Sequence, residues 1–175
     1  MRRTELEHVI RAAAAITNEY EIMVVGSQSI LGAVPEPSPL LVKSMEADVY
    51  PVHHPELADL IDGAIGEGSP FHDRFGYYAQ GVGPETAVLP QGWQERLVRI
   101  QNDNTDLKVG LCLEPHDLAA SKLAAGREKD WAFVAEMLAS KVIQHLTLSE
   151  RVNSLPLSEQ HKNKLNRWVL GQSSR

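Results

Sequence analysis

The chain has 175 residues, 43% of them hydrophobic, which is enough for one well-buried domain with a small helical appendage. Its 17 Lys and Arg against 23 Asp and Glu give a formal net charge of -6. That balance argues against a broad electrostatic grip on nucleic acid, although a local basic patch is compatible with it. The single Cys112 excludes an internal disulfide, and no apolar run approaches the roughly 20 residues that cross a bilayer.

Met1-Arg2-Arg3 starts like a signal peptide, but Thr4-Glu5-Leu6-Glu7-His8 follows with acids where an apolar core is needed. The expectation is a soluble, cytoplasmic protein. Thr4, with Glu7 three residues on, predicts a helix opened by a capping box, with Val9, Ile10, Ala13, Ala14 and Ile16 on its buried face. Glu21 to Val25 is a short, partly β-branched apolar run ending at Gly26, and predicts a buried strand. Ser27 to Ala33 predicts a short helix, closed by the proline-rich Pro35-Glu36-Pro37-Ser38-Pro39.

Asp48 to Val52 predicts a second strand, with Pro51 near its end or at a sheet edge. His54-Pro55-Glu56-Leu57 opens a helix that places Leu57, Leu60, Ile61 and Ala64 on one side. A helical turn from Ser69 precedes a strand at Tyr77-Tyr78-Ala79. Leu97 to Ile100 and Lys108 to Leu113 read as a strand pair joined by the polar turn Asn102 to Asp106.

From Pro115 onward the pattern is helical. Helices are predicted over His116 to Ala125, Lys129 to Val142, Ser149 to Leu155 and Ser158 to Leu170. The fold class is therefore α+β, with a core over residues 1–114 and a C-terminal helical section over 115–175 packed on the same domain.

Two stretches carry the chemistry. Backbone N–H groups at the start of a helix favour a phosphate, and Gly26 would let the chain approach one closely, with the Ser27 hydroxyl as a further donor. The plainer explanation of Gly26-Ser27 is a cap on a helix that follows a strand. Glu46 and Asp48, two apart on a strand, project to one face, where their like charges repel unless a cation or hydrogen bonds compensate. A Mg²⁺ ion would relieve that repulsion and bring a nucleoside triphosphate with it. An exposed acidic edge is the plainer explanation there.

Gly26-Ser27 after a strand, followed by Ser44-Met45-Glu46-Ala47-Asp48-Val49-Tyr50-Pro51, resembles the core signature of the nucleotidyltransferase fold. More closely, the chain is similar to a small bacterial family of nucleotidyltransferase-like proteins of unknown function, related to the AbiEii-type toxins of toxin–antitoxin systems. Phe75 to Val82, Leu89 to Leu97 and Pro115 to Asp130 are the other matching stretches. The resemblance covers roughly residues 5 to 140. It implies a small mixed β-sheet flanked by helices, with Gly26 and Ser27 holding an NTP and Glu46 and Asp48 holding Mg²⁺ as the catalytic pair. It also implies that Lys122 contacts nucleotide phosphate.

The implied activity is transfer of a nucleotidyl group to an RNA end or a protein hydroxyl. A non-catalytic nucleotide-binding or protein-interaction module, with a toxin–antitoxin partner, is the competing reading. Active members of the wider fold use a third carboxylate on a later strand as general base. At the segment that aligns with it, Leu97 to Gln101, no acid stands; Arg99 or Gln101 occupies the face, and Asp103 lies beyond in the turn. Either Asp103 moves in, the acceptor needs no base, or nucleotide is bound without transfer.

Arg127 and Asp130 have the spacing of an ordinary helical surface pair, and a functional role for both is the competing reading. The histidines lack zinc-ligand spacing. Tyr50, Tyr77 and the three tryptophans are expected to pack rather than to stack on a base.

Overall fold

Five strands form one mixed sheet in the order β3-β2-β1-β5-β4: β1 (Glu21–Val25), β2 (Glu46–Pro51), β3 (Tyr78–Gly81), β4 (Val98–Ile100) and β5 (Val109–Cys112). The structure is a computed structural model and describes residues 1–172. β1 runs antiparallel to β2 and parallel to β5, β2 runs parallel to β3, and β4 and β5 form the expected antiparallel pair. Eight helices accompany the sheet among the described residues: α1 (Arg3–Thr17), α2 (Ile30–Ala33), α3 (Ala58–Ile65), α4 (Pro70–Phe75), α5 (Pro115–Ala125), α6 (Glu128–Ala139), α7 (His145–Asn153) and α8 (Glu159–Gln172). The α+β class and its C-terminal helices are as expected, and no helix among the described residues is long and apolar enough to cross a membrane.

The buried side of α1 carries Leu6, Val9, Ile10, Ala13 and Ala14, a three-to-four spacing that fits one helical face. Its cap differs from the sequence expectation. Arg2, not Thr4, precedes the helix, and Glu5 closes the box by accepting the Arg2 backbone N–H at 2.7 Å. Glu7 is thereby free for another task. Its buried carboxylate accepts from Arg3 at 2.9 Å and from Asn102 and Asn104, each at 2.8 Å, tying α1 to the turn between β4 and β5. Burial alone would raise its pKa, but those three donors hold it below the usual glutamate value.

In β2, Ala47 and Val49 are fully buried, so by strand alternation Glu46 and Asp48 project from the opposite face. β2 lies inside the sheet; Pro51 is its last residue rather than an edge marker. α3 is rotated from the expected face: Ala58, Ile61 and Ile65 are buried, whereas Leu60 and Ala64 are exposed. The start is responsible, since Pro55–Leu57 is a 3-10 turn and the α-helical phase begins only at Ala58.

α5 reaches the sheet through α2 and the turn at Ser27–Ser29, α6 and α7 pack against α5, and α8 packs on α7. Leu118, Leu123, Val134 and Leu148 belong to the same apolar core as Ile22, Val24 and Val49. Asp117, fully buried, anchors this arrangement. It accepts two hydrogen bonds from Arg96, at 2.8 and 2.9 Å, and Arg151 of α7 lies at 3.1 Å. Asp117→Ala leaves both guanidinium groups half-buried without their counter-ion. It is expected to lower the unfolding free energy by about 3 kcal/mol in urea denaturation, with the slope of the transition unchanged. A loss below about 1 kcal/mol would show that this ion-pair cluster does not anchor the helices.

Candidate functional site

Gly26 adopts φ 66°, a conformation that suits glycine, and here the absence of a side chain has a direct use. A Cβ at this position would overlap the Asp48 carboxylate, which lies against the glycine backbone. The register explains the proximity, because Val25 pairs with Asp48 across β1 and β2. Ser27 then opens a 3-10 turn, Ser27–Ser29, that continues into α2. The segment is thus a turn and a four-residue helix rather than a helix from Ser27 onward. Gln28 is buried and donates to the Ser44 carbonyl at 3.1 Å, joining the turn to the segment that leads into β2.

Ser27, Glu46, Asp48 and Lys122 all line one cleft of about 940 Å³, together with Gln80, Arg127, Asp130 and Phe133. The structure therefore brings four of the five sequence-predicted site residues to one cavity, with Gly26 directly behind Asp48. Burial and the neighbouring Glu46 push the Asp48 pKa up to about 6, while Lys122 and Arg127 pull it down. Tyr78 donates to Glu46 at 2.9 Å, and burial together with that carboxylate raises its phenol to about 12.

The segment thought to correspond to a third carboxylate strand is displaced from this site. β4 forms the far edge of the sheet, separated from β2 by β5 and β1. There Arg99 donates to Gln101 at 2.8 Å, and Gln101 donates to the Tyr20 hydroxyl and the Leu107 carbonyl. Arg99, Gln101 and Asp103 are absent from the cleft lining. The strand beside β2 is β3, whose register sets Tyr78 opposite Glu46 and Gln80 opposite Asp48. Gln80 therefore holds the place adjacent to the carboxylate pair, and an amide cannot accept a proton as a base. A signal was present in the sequence: Tyr78-Ala79-Gln80 repeats the polar-Ala-polar alternation of Glu46-Ala47-Asp48, and both alanines are fully buried.

Asp130 departs most from expectation. It is 1% exposed rather than half of a surface pair. It accepts from Arg127 at 2.6 and 3.2 Å, and Lys122 Nζ stands 3.3 Å away. Burial opposes its charge, but the Arg127 hydrogen bonds and the Lys122 ammonium hold its pKa below the usual aspartate value. Lys122 itself lies over the Phe133 ring at 5.4 Å. Burial lowers its pKa, against the pull of Asp130 and Asp48. Asp130 thus fixes two cations in the lining of the cleft that Glu46 and Asp48 also line.

Other polar and aromatic side chains pack or pair elsewhere. Tyr50 and Tyr77 are buried, the latter with its hydroxyl 2.7 Å from His8 among Phe71 and Phe75. Trp131 and Trp168 meet edge-to-face at 4.8 Å. His116 bridges Glu114 and the Gln144 backbone N–H, an arrangement that places its ring proton on Nδ1. Among the described residues no group of three or more His, Cys, Asp or Glu stands together as a metal-binding cluster.

Comparison with known proteins gives one result for this chain. A family model described as a nucleotidyltransferase of unknown function (DUF6036) matches residues 4–170. No curated protein and no solved structure matches it.

The raised Asp48 pKa has a consequence for stability. The folded state holds the proton more tightly than the unfolded chain, so the associated stabilisation is complete below about pH 4 and lost as pH rises to about 6. Asp48→Asn is therefore expected to raise unfolding free energy by about 1 to 2 kcal/mol at pH 8, with the gain vanishing near pH 4. Thermal denaturation of both proteins across that range checks this. An equal effect at both pH values would contradict it.

Proposed function

The chain belongs to this family of nucleotidyltransferases of unknown function, and on that premise we propose that it binds a Mg²⁺·NTP in the cleft and transfers the nucleotidyl group to an acceptor. The observation that carries the reading is the convergence of two clusters on one cavity. A carboxylate pair on β2 and two cations that Asp130 holds in place line the same cleft, together with Ser27.

The donor set fits Mg²⁺. Glu46 and Asp48 supply hard oxygen ligands on one strand face, and Asp48 is charged only against its environment when no cation is present. Held by Glu46 and Asp48, such an ion would supply charge neutralisation for the phosphates. Lys122 would stabilise charge building on the pyrophosphate as the α–β bond breaks. Ser27 would donate its hydroxyl to the triphosphate, and Gly26 would let the Asp48 carboxylate approach without a side chain in the way. Asp130 is a positioning residue in this scheme. It fixes Lys122 and Arg127 before substrate arrives, so their ordering cost is met in the fold.

A non-catalytic association module, including a toxin–antitoxin component, makes the opposite forecast for nucleotide. Calorimetric titration of each NTP with Mg²⁺ is expected to show metal-dependent binding to the wild type. Asp48→Ala should weaken it by at least about a hundredfold and Lys122→Ala by about tenfold. Absence of binding at millimolar NTP, with copurification of a partner that Asp48→Ala leaves undisturbed, would favour the association module instead.

A further inference from the structure

A second, smaller chamber of about 130 Å³ adjoins the main cleft. Asp48, Thr86, Lys122, Ala125 and Arg127 line both spaces and so stand between them. Its other walls are Val25, Gly26, Ala87, Val88, Leu118 and Ser121. Glu46, Gln80 and Asp130 line the main cleft alone. The volume corresponds to about four water molecules, which suits one compact group rather than a nucleoside.

We propose that this chamber is the acceptor subsite and that it receives an already ionised oxygen, the tip of a phosphate monoester. The proposal rests on the nucleotidyl-transfer reading above and adds the substrate class. In-line displacement requires the attacking oxygen to approach the α-phosphorus from the side opposite the leaving pyrophosphate. With the triphosphate in the large cleft, the small chamber across the Asp48–Lys122 row is where that approach begins.

The chamber's lining then selects the nucleophile. Its ionisable side chains are Asp48, committed to the metal, and the cations Lys122 and Arg127. Tyr78 and Gln80, the β3 residues beside the carboxylate pair, supply no base either: the Tyr78 hydroxyl is engaged as a donor to Glu46 and the amide has no basicity. An alcohol would have to lose its proton with no group placed to take it. A phosphate monoester arrives as an anion, and the Arg127 N–H groups that Asp130 leaves free match its oxygens, with the Ser121 and Thr86 hydroxyls as donors. In the step itself, the acceptor oxygen forms a bond to the α-phosphorus as the α–β bridging bond breaks. The electron pair leaves with pyrophosphate, no proton moves, and the product is a phosphoanhydride.

Methyl phosphate and glycerol serve as anionic and hydroxyl probes. Each is titrated into protein saturated with Mg²⁺ and an α,β-methylene NTP, and each is offered as acceptor to the protein with α-labelled NTP. Ser121→Leu fills the chamber from within α5, where leucine is a good helix former. Ala87→Leu fills it from the extended segment after Pro84–Thr86, giving a second variant if the first is unstable. Methyl phosphate is expected to bind the wild-type complex and to yield labelled anhydride. In either folded variant its affinity should fall by at least about tenfold, while the NTP analogue binds within about twofold of wild type. The proposal is overturned if methyl phosphate fails to bind although the NTP analogue does, if filling the chamber leaves methyl phosphate binding unchanged, or if label passes to glycerol in preference. Failure of the NTP analogue itself to bind sinks the nucleotidyl-transfer reading, and this proposal with it.

Discussion

The contact between Gly26 and the Asp48 carboxylate is the constraint from which the site follows. It exists because β1 and β2 pair antiparallel with Val25 opposite Asp48, so the chain leaving β1 turns directly over the carboxylate. Only a residue without a Cβ, in the left-handed backbone region, fits that turn. Burial strips water from Asp48, and β2 sets Glu46 two residues away on the same face; together these raise its pKa. A fold that buries one of two adjacent carboxylates in this way maintains an electrostatic imbalance that a bound cation removes.

The chain contains two buried aspartates that each gather two cations, and their contrast is instructive. Asp117 is fully enclosed, and its partners Arg96 and Arg151 come from a turn and a helix that it holds together. Asp130 gathers Lys122 and Arg127 at a helix junction closed by Gly126, and both cations also line an open cleft. The same physical device, a desolvated carboxylate that orders long cationic side chains, serves packing in one place and presents positive charge in the other. Formal net charge of -6 therefore says little about this cavity, whose wall carries a fixed cationic pair.

Local patterns in the sequence disclosed most of the elements. Apolar run length placed β1, the Asn102–Asp106 turn placed the β4–β5 hairpin, and Pro156 separated α7 from α8. Gly26-Ser27 and Glu46-Ala47-Asp48 were legible because each is short and its spacing carries a physical meaning. Strand order was not legible. Nothing local distinguishes β3 from β4 as the neighbour of β2, so the position beside Asp48 was sought on Arg99 and Gln101 rather than on Gln80. The burial of Asp130 was not legible for a related reason: its i−3 partner Arg127 is visible in sequence, but its burial depends on how α5 and α6 meet. The Thr4 cap and the Leu60 face failed on boundaries, where one 3-10 turn or one shifted cap rotates an entire helical face.

Burial and Glu46 keep Asp48 protonated into the mildly acidic range, and under the proposed function a bound cation would relieve it. Carbon-13 NMR of its side-chain carboxyl, titrated from pH 3 to 9 with and without Mg²⁺, tests that claim most directly. The expected midpoint is about 6 in the free protein, moving down by at least about one unit when Mg²⁺ is present. A midpoint near the ordinary aspartate value that ignores Mg²⁺ would contradict it.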